Sequence, residues 1–188
     1  MTTNNMFSFQ DKQAILKFVR SVIKSRLDGT EKPELAAKIP GIKNPGACFV
    51  TLHTADNMLR GCIGNIAATE NLGANLEHNA VNAAFLDPRF PAVASVDELN
   101  TLKIEVSVLT PMRDISSADE FIPGQHGIVL MLHGRSAVFL PQVAPEQGWD
   151  RETTLRHLSM KAGLPSDAWQ NASARFRVFE ALVFAEDK

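Results

Sequence analysis

Arg60-Gly61-Cys62-Ile63-Gly64 places two glycines around a cysteine. Glycine inside a strand-like run weakens the strand unless something must approach the backbone closely. The expected visitor is a substrate or a partner, with Gly61 and Gly64 as part of its binding surface. Alternate residues of a regular strand share a face, so Arg60, Cys62 and Gly64 point one way and Leu59, Gly61 and Ile63 the other. A guanidinium then stands beside a thiol. A fixed cation favours thiolate, lowers the cysteine pKa and raises the fraction of nucleophile near neutrality. The competing reading is structural, because free cysteine is among the most buried residue types and packs as a small hydrophobe.

Two further segments carry groups suited to the same chemistry. Asp87-Pro88-Arg89-Phe90-Pro91 is stiffened by two prolines and displays an arginine. Its forked donors suit a carboxylate or phosphate, or an internal salt bridge that holds the loop down. His126, between glycines in Gly124-Gln125-His126-Gly127, is a candidate proton carrier or ligand. Glu105 faces the polar side of its strand, placed to orient a cation or to form a surface ion pair, and Glu146 is a weak acid–base candidate. The histidines show no HExxH spacing and there is no paired CxxC, so no metal site is expected. The glycines fit neither a dinucleotide fingerprint nor a Walker A loop, so no cofactor is expected. The chain has no Tyr, which removes phenolic acid, base or radical roles.

The elements that must position these groups are legible from periodicity. Residues 8–27 read as an amphipathic helix capped by Ser8, with Ile15, Phe18, Val19, Val22 and Ile23 on its apolar side. Lys17, Arg20 and Lys24 share a basic stripe on its polar side, and residues 1–43 carry eight Lys/Arg against four Asp/Glu. A solvated face is the expected reading and a phosphate contact the alternative. Ala47–His53 and Met58–Gly64 form a hairpin. A two-residue turn at Ala55-Asp56 sets Phe49 opposite Cys62 and leaves Cys48 on the other face; a three-residue turn sets the two cysteines across from each other. Two separate thiols are the favoured outcome. Asn71–Leu86 is a helix ended by Asp87-Pro88, and a short capped helix spans Ser95–Leu99. Leu102–Leu109 alternates with Ile104, Val106 and Val108 on one face. Gly127–Leu132 and Ser136–Leu140 make a hairpin around His133-Gly134-Arg135. Asp150 caps a helix to about Ala162, Gly163 ends it, and Ala174–Phe184 is a strand. Pro141–Trp149 reads as a loop whose Trp and prolines pack.

At 188 residues, with 45% hydrophobic and 21% charged, the chain supports one full-sized core rather than a disordered or coiled-coil chain. The net charge of −2 leaves no broad attraction for nucleic acid. Two cysteines are too few for a stapled secreted scaffold and fit a reducing, cytoplasmic compartment. No apolar run approaches the about 18 residues of a membrane span, and the first residues lack the pattern of a signal peptide.

Several segments together resemble the AMMECR-type domain family, named for the Alport, midface hypoplasia and elliptocytosis chromosomal region. They are Leu59-Arg-Gly-Cys-Ile-Gly64, Asp87-Pro-Arg-Phe90, Ile104–Leu109, Gly127–Leu130, Phe139-Leu-Pro-Gln-Val-Ala-Pro145, Gly148-Trp-Asp150 and Lys161-Ala-Gly-Leu-Pro165. LRGCIG is that family's signature, and the likeness spans roughly residues 9–185. The resemblance implies an α/β (α+β) protein of two lobes, mostly antiparallel sheet with flanking helices, and a cleft near the signature. It also implies association with a Memo-like dioxygenase-fold protein and a radical S-adenosylmethionine protein, the AmmeMemoRadiSam system, which is analogy and not physics.

These readings combine into an expectation of a flexible segment 1–8 followed by one two-lobed domain over 9–185. The function expected is that of a cytoplasmic enzyme or enzyme-accessory component. Cys62 would be the thiolate, His126 a proton carrier, Arg60 the pKa-lowering neighbour and anion anchor, and Arg89 a second anchor. The alternative is a non-catalytic module that binds a partner or nucleic acid, in which the glycines exist because a partner backbone or a neighbouring helix packs against them.

Overall fold

The computed structural model describes residues 6–35 and 38–187. The start of the expected flexible segment, residues 1–5, lies outside the described residues. Phe7 is buried, and Ser8 caps the first helix, α1 (Phe9–Asp28). The Ser8 side chain accepts from the Asp11 N–H while Asp11 accepts from the Ser8 N–H, so two otherwise orphaned donors are satisfied reciprocally.

The chain divides into two compact units, residues 1–109 with 182–188 and residues 110–181. In the first, β1 (Ala47–His53), β2 (Leu59–Gly64), β3 (Lys103–Leu109) and β8 (Ala181–Ala185) form a sheet in the order β2-β1-β3-β8. Period-two alternation sends Cys48, Val50, Leu52, Ile104, Val106 and Val108 into a core shared with α1 and α2 (Leu72–Phe85). The opposite, outer face of β1 and β3 carries Phe49, Thr51 and His53 paired with Ser107, Glu105 and Lys103. A short α3 (Val96–Thr101), capped by Ser95, precedes β3. The expected basic stripe of α1 does not stay free: Arg20 donates to both carboxylate oxygens of Glu186 at 2.6 and 2.5 Å and to the carbonyls of Leu99 and Leu102, and Lys24 pairs with Asp28.

In the second unit, β4 (Arg113–Ile115), β5 (Gly127–Leu132), β6 (Arg135–Phe139) and β7 (Arg175–Phe179) run in the order β4-β7-β5-β6. Ile128, Leu130, Phe176 and Val178 pack with Leu155 and Leu158 of α5 (Arg151–Lys161). The β5–β6 turn is tighter than expected. His133 and Gly134 both take positive φ, the two-residue geometry that matches strand twist, and Arg135 already belongs to β6. The loop before α5 contains a further helix, α4 (Val143–Gln147), whose last turn leads to Trp149 stacked on His157 at 4.0 Å. The single strand expected over 174–184 is two strands, β7 and β8, in different sheets. They part at Glu180, whose N–H donates to Thr110 Oγ1; the alternation of Arg175–Val178 lapses at Phe179-Glu180, the one signal in the sequence for that break.

Candidate functional site

The hairpin that carries LRGCIG differs in register from either expectation. A three-residue loop, Ala55-Asp56-Asn57, ends with Asn57 at φ 58°, and an irregularity between Leu52 and His53 shifts the pairing further. Cys62 therefore opposes Thr51 instead of Phe49. The shift is by two residues, which preserves the alternation of faces, so Cys48 stays on the core side and both cysteines are free thiols.

β2 is an edge strand, and the Cys62 backbone points away from β1. The loop after α2 meets it with side chains in place of a neighbouring strand. The Asp87 carboxylate accepts from the Cys62 N–H at 2.9 Å, and Arg89 Nη2 donates to the Cys62 carbonyl at 3.0 Å. Asp87 also accepts from Arg89 Nε, Nη2 and the Arg89 backbone N–H, at 3.0, 2.8 and 3.1 Å. Between the two open readings of Arg89, the internal salt bridge is the one observed. These hydrogen bonds hold the buried Asp87 carboxyl well below the usual carboxylate range, the Arg89 bond contributing most.

The Cys62 thiol is half-buried and accepts a hydrogen bond from Thr51 Oγ1 at 3.2 Å. Burial pushes its pKa up, and the Thr51 hydroxyl and Arg89 oppose that only in part. The expected electrostatics are thus reversed. Arg60 is not the neighbour that lowers the thiol: its Nε and Nη2 donate to Glu98 at 3.1 and 2.7 Å and its Nη1 to the Pro91 carbonyl at 2.7 Å, which ties α3 to β2. A carboxylate within reach of a guanidinium outcompetes a weak sulfur acceptor. The spaces beside the glycines are also taken. A Cβ on Gly61 would lie 2.2 Å from the Ala83 carbonyl oxygen of α2, and one on Gly64 would lie 2.3 Å from the Phe49 ring. A neighbouring helix and an aromatic ring require these glycines, in place of the expected visitor.

His126 belongs to the other unit. Its ring is buried and Nδ1 accepts from the Ile122 N–H at 3.2 Å, closing the turn before β5; burial lowers its pKa. Glu105 faces the outer side as expected, yet it forms no ion pair among the described residues. Glu146 is exposed on α4. Hollows of about 410, 440 and 210 Å³ lie beside the C-terminal end of α1, beside the β5–β6 turn, and against the middle of α1, and Cys62 lines none of these three.

Comparison with known proteins places this arrangement. The AMMECR1 family model matches residues 16–184. The chain belongs to the AMMECR1 family. A protein of Nanoarchaeum equitans is 37% identical over 180 residues, covering 92% of this chain and 99% of that protein. A protein of Methanopyrus kandleri is 35% identical over 188 residues, covering 96% and 91%. The crystal structure of an uncharacterised protein from Pyrococcus horikoshii matches with a TM-score of 0.82 at 30% identity, covering 97% of this chain and 94% of that one. The α/β architecture is thereby shared with a solved structure at full length.

In this AMMECR1-family chain one polar cluster escaped the sequence reading. Asn75 and Asn79, both buried on α2, reach Cys48 and the Asn65 side chain that follows the signature. Asn75 also donates to Glu70, which pairs with His78. Burial pushes the Cys48 pKa up to about 12, so this sulfur is an inert packing group. The available signal was two asparagines four apart inside the apolar stripe of Leu72, Leu76, Ala80 and Ala83. Buried amides of that kind must find partners.

Proposed function

We propose that the protein is a binding component, an accessory module whose LRGCIG edge is a preformed recognition surface, acting in the cytoplasm alongside a Memo-like and a radical S-adenosylmethionine protein. The observation that carries this reading is the treatment of Cys62: both of its backbone groups are clamped by Asp87 and Arg89, while its sulfur is kept as a neutral thiol. Such a strand is rigid and edge-capped, which suits recognition better than nucleophilic attack. Met58, Leu59 and Leu86 stand 66%, 40% and 66% exposed in the segments that flank the clamp, more apolar surface than a solvated edge requires.

A second reading, a cysteine nucleophile, is favoured by the Arg89 guanidinium, whose charge pulls the Cys62 pKa down against burial. Alkylation of the native protein with a charged thiol reagent across pH separates the two. Slow modification with an apparent pKa above the ordinary cysteine value supports the binding module. A fast-reacting Cys62 with an apparent pKa well under about 8.5 replaces it with the enzyme. Mixing with purified Memo-like and radical S-adenosylmethionine proteins, with Met58→Lys and Leu86→Lys as controls, tests the partners; no complex at micromolar concentrations removes them.

A further inference from the structure

Each sheet has two edge strands, and among the described residues three of the four edges are blunted. On β2 the Asp87–Arg89 clamp occupies the outward groups of Cys62. β4 is three residues long and exposes Arg113 and Asp114, and on β6 Lys161 Nζ donates to the Val138 carbonyl at 2.9 Å. Short length, charge and side-chain caps are the usual protections of an edge strand against further pairing. β8, at the opposite edge of the first sheet from β2, has none of them. Its five residues, Ala181-Leu182-Val183-Phe184-Ala185, are all apolar and include no Pro. The Glu186 N–H donates to the Ile104 carbonyl and the Thr110 N–H to the Glu180 carbonyl, at 3.0 and 2.9 Å. Those two bonds set an antiparallel register in which Leu182 and Phe184 turn their backbone groups to β3. Ala181, Val183 and Ala185 therefore turn theirs outward, and among the described residues no side chain or loop bonds to them.

We infer that β8 accepts an added strand from another protein, an extended segment with an apolar middle and a Lys or Arg at each end. Strand addition draws its affinity from main-chain hydrogen bonds and its selectivity from alternate side chains. Both faces of this edge offer apolar contact. Val183 stands 51% exposed on the outer face. On the core face Phe7 meets Phe184 edge-on at 6.5 Å, which brings the start of α1, where Phe9 is 71% exposed, beside β8. Charge then selects the partner. Glu180 precedes β8, and Glu186 and Asp187 follow it. Arg20 offsets Glu186, which leaves Glu180 at one end and the exposed Asp187 at the other. A second copy of this chain fits less well. Antiparallel self-pairing centred on Val183 brings the acidic ends of both copies together, where like charges repel. Its overlap of about 17 Å is also too short to bury the about 1,200 Å² of a stable interface. This edge lies across the sheet from LRGCIG, so the inference stands or falls separately from the accessory reading.

The test is amide exchange by NMR on the intact chain, read residue by residue with and without a synthetic peptide, KVTVTVK, blocked at both termini. In the free chain the Ala181, Val183 and Ala185 amides exchange about tenfold or more faster than those of Leu182 and Phe184. Peptide at about 1 mM slows those three and leaves the other two unchanged. The acidic counterpart EVTVTVE binds about tenfold more weakly, and salt narrows that gap. Val183→Pro removes an outward N–H and none that faces β3, so peptide binding weakens about tenfold or more. Phe9→Ser, at an exposed position, weakens binding without touching the strand and serves if the proline variant unfolds. Slow exchange at all five positions of the free chain shows the edge to be covered already and overturns the inference. No protection by the peptide at about 1 mM, or equal binding of the two peptides, overturns it as well. Protection that appears without peptide and grows with protein concentration assigns the edge to a second copy and overturns the proposed occupant.

Discussion

Replacing Asp87 by alanine tests whether side chains can substitute for a missing strand. The Asp87 side chain is 2% exposed and accepts four hydrogen bonds, one from the Cys62 N–H and three from Arg89. Hydrogen bonds to a charged group contribute about 1.5–3 kcal/mol each when both partners are buried. The Arg89 side chain is 55% exposed, so its two guanidinium bonds are discounted, because a released guanidinium is re-solvated at little cost, and the bond from the backbone N–H of this exposed residue is discounted with them. The Cys62 N–H has no such escape within an occupied edge. One full-strength bond, plus a residue from the ion pair, gives a loss of about 2–3 kcal/mol for Asp87→Ala. Asp87→Asn keeps one carbonyl acceptor and costs about half as much.

The assay is urea denaturation followed by circular dichroism, where a lower midpoint at unchanged slope reads stability directly. Arg89→Ala alone removes the donor to the Cys62 carbonyl, and the double variant loses less than the sum because the two residues act as one clamp. The pH profile gives an independent check. A carboxyl held below its unfolded value contributes stability that is complete above the unfolded pKa of about 3.9 and is lost as pH falls through the folded one. The natural chain therefore loses stability below about pH 4, and Asp87→Asn flattens that fall. An Asp87→Ala chain within about 0.5 kcal/mol of the natural one, or an additive double variant, refutes the clamp.

Three further outcomes follow from the same geometry. Gly61→Ala drives a methyl into the Ala83 carbonyl at 2.2 Å, so helix and strand must part; denaturation reads a loss of about 1–3 kcal/mol or more, whereas an unchanged midpoint shows the space to be open. His126 is buried with a lowered pKa, so its unfolded form binds the proton first: stability is complete above about pH 6.5 and declines below it, and His126→Gln removes that decline in a pH series. Arg20→Ala removes the guanidinium donor to Glu186 and to the Leu99 and Leu102 carbonyls, which loosens the C-terminal strand; amide exchange in β8 rises before exchange in β1, and uniform exchange contradicts the latch.

Where one local signal decides an element, the sequence was sufficient. Ser8 with Asp11 marks the start of α1, Asp150 that of α5, and alternation fixes both faces of β3. The site was less legible because it depends on choices between competing partners. Arg60 does lie on the Cys62 side of the strand, but Glu98, 38 residues away, captures its guanidinium, and no spacing within β2 foretells that. The same holds for the glycines. A glycine in a strand reports that something is close, and only the packing of α2 shows that the close object is the protein's own Ala83 carbonyl. Arg89 was readable as either anchor or staple, and its neighbour at i−2 decided between them.

The glycines and the Asp87–Arg89 clamp lead to one physical consequence. A strand that is fixed from three sides, by α2 on its core face, by Thr51 across the ladder and by the clamp along its edge, keeps its side chains in place without a ligand. Binding to such a surface costs little ordering entropy, so modest contacts suffice for affinity. A nucleophile gains less from the same rigidity, because its reactivity depends on charge, and here burial works against charge. The clamp and the raised thiol thus push in one direction: loosening the edge by Asp87→Ala should make Cys62 easier to reach and faster to alkylate while weakening recognition. A nucleophilic centre predicts loss of both together.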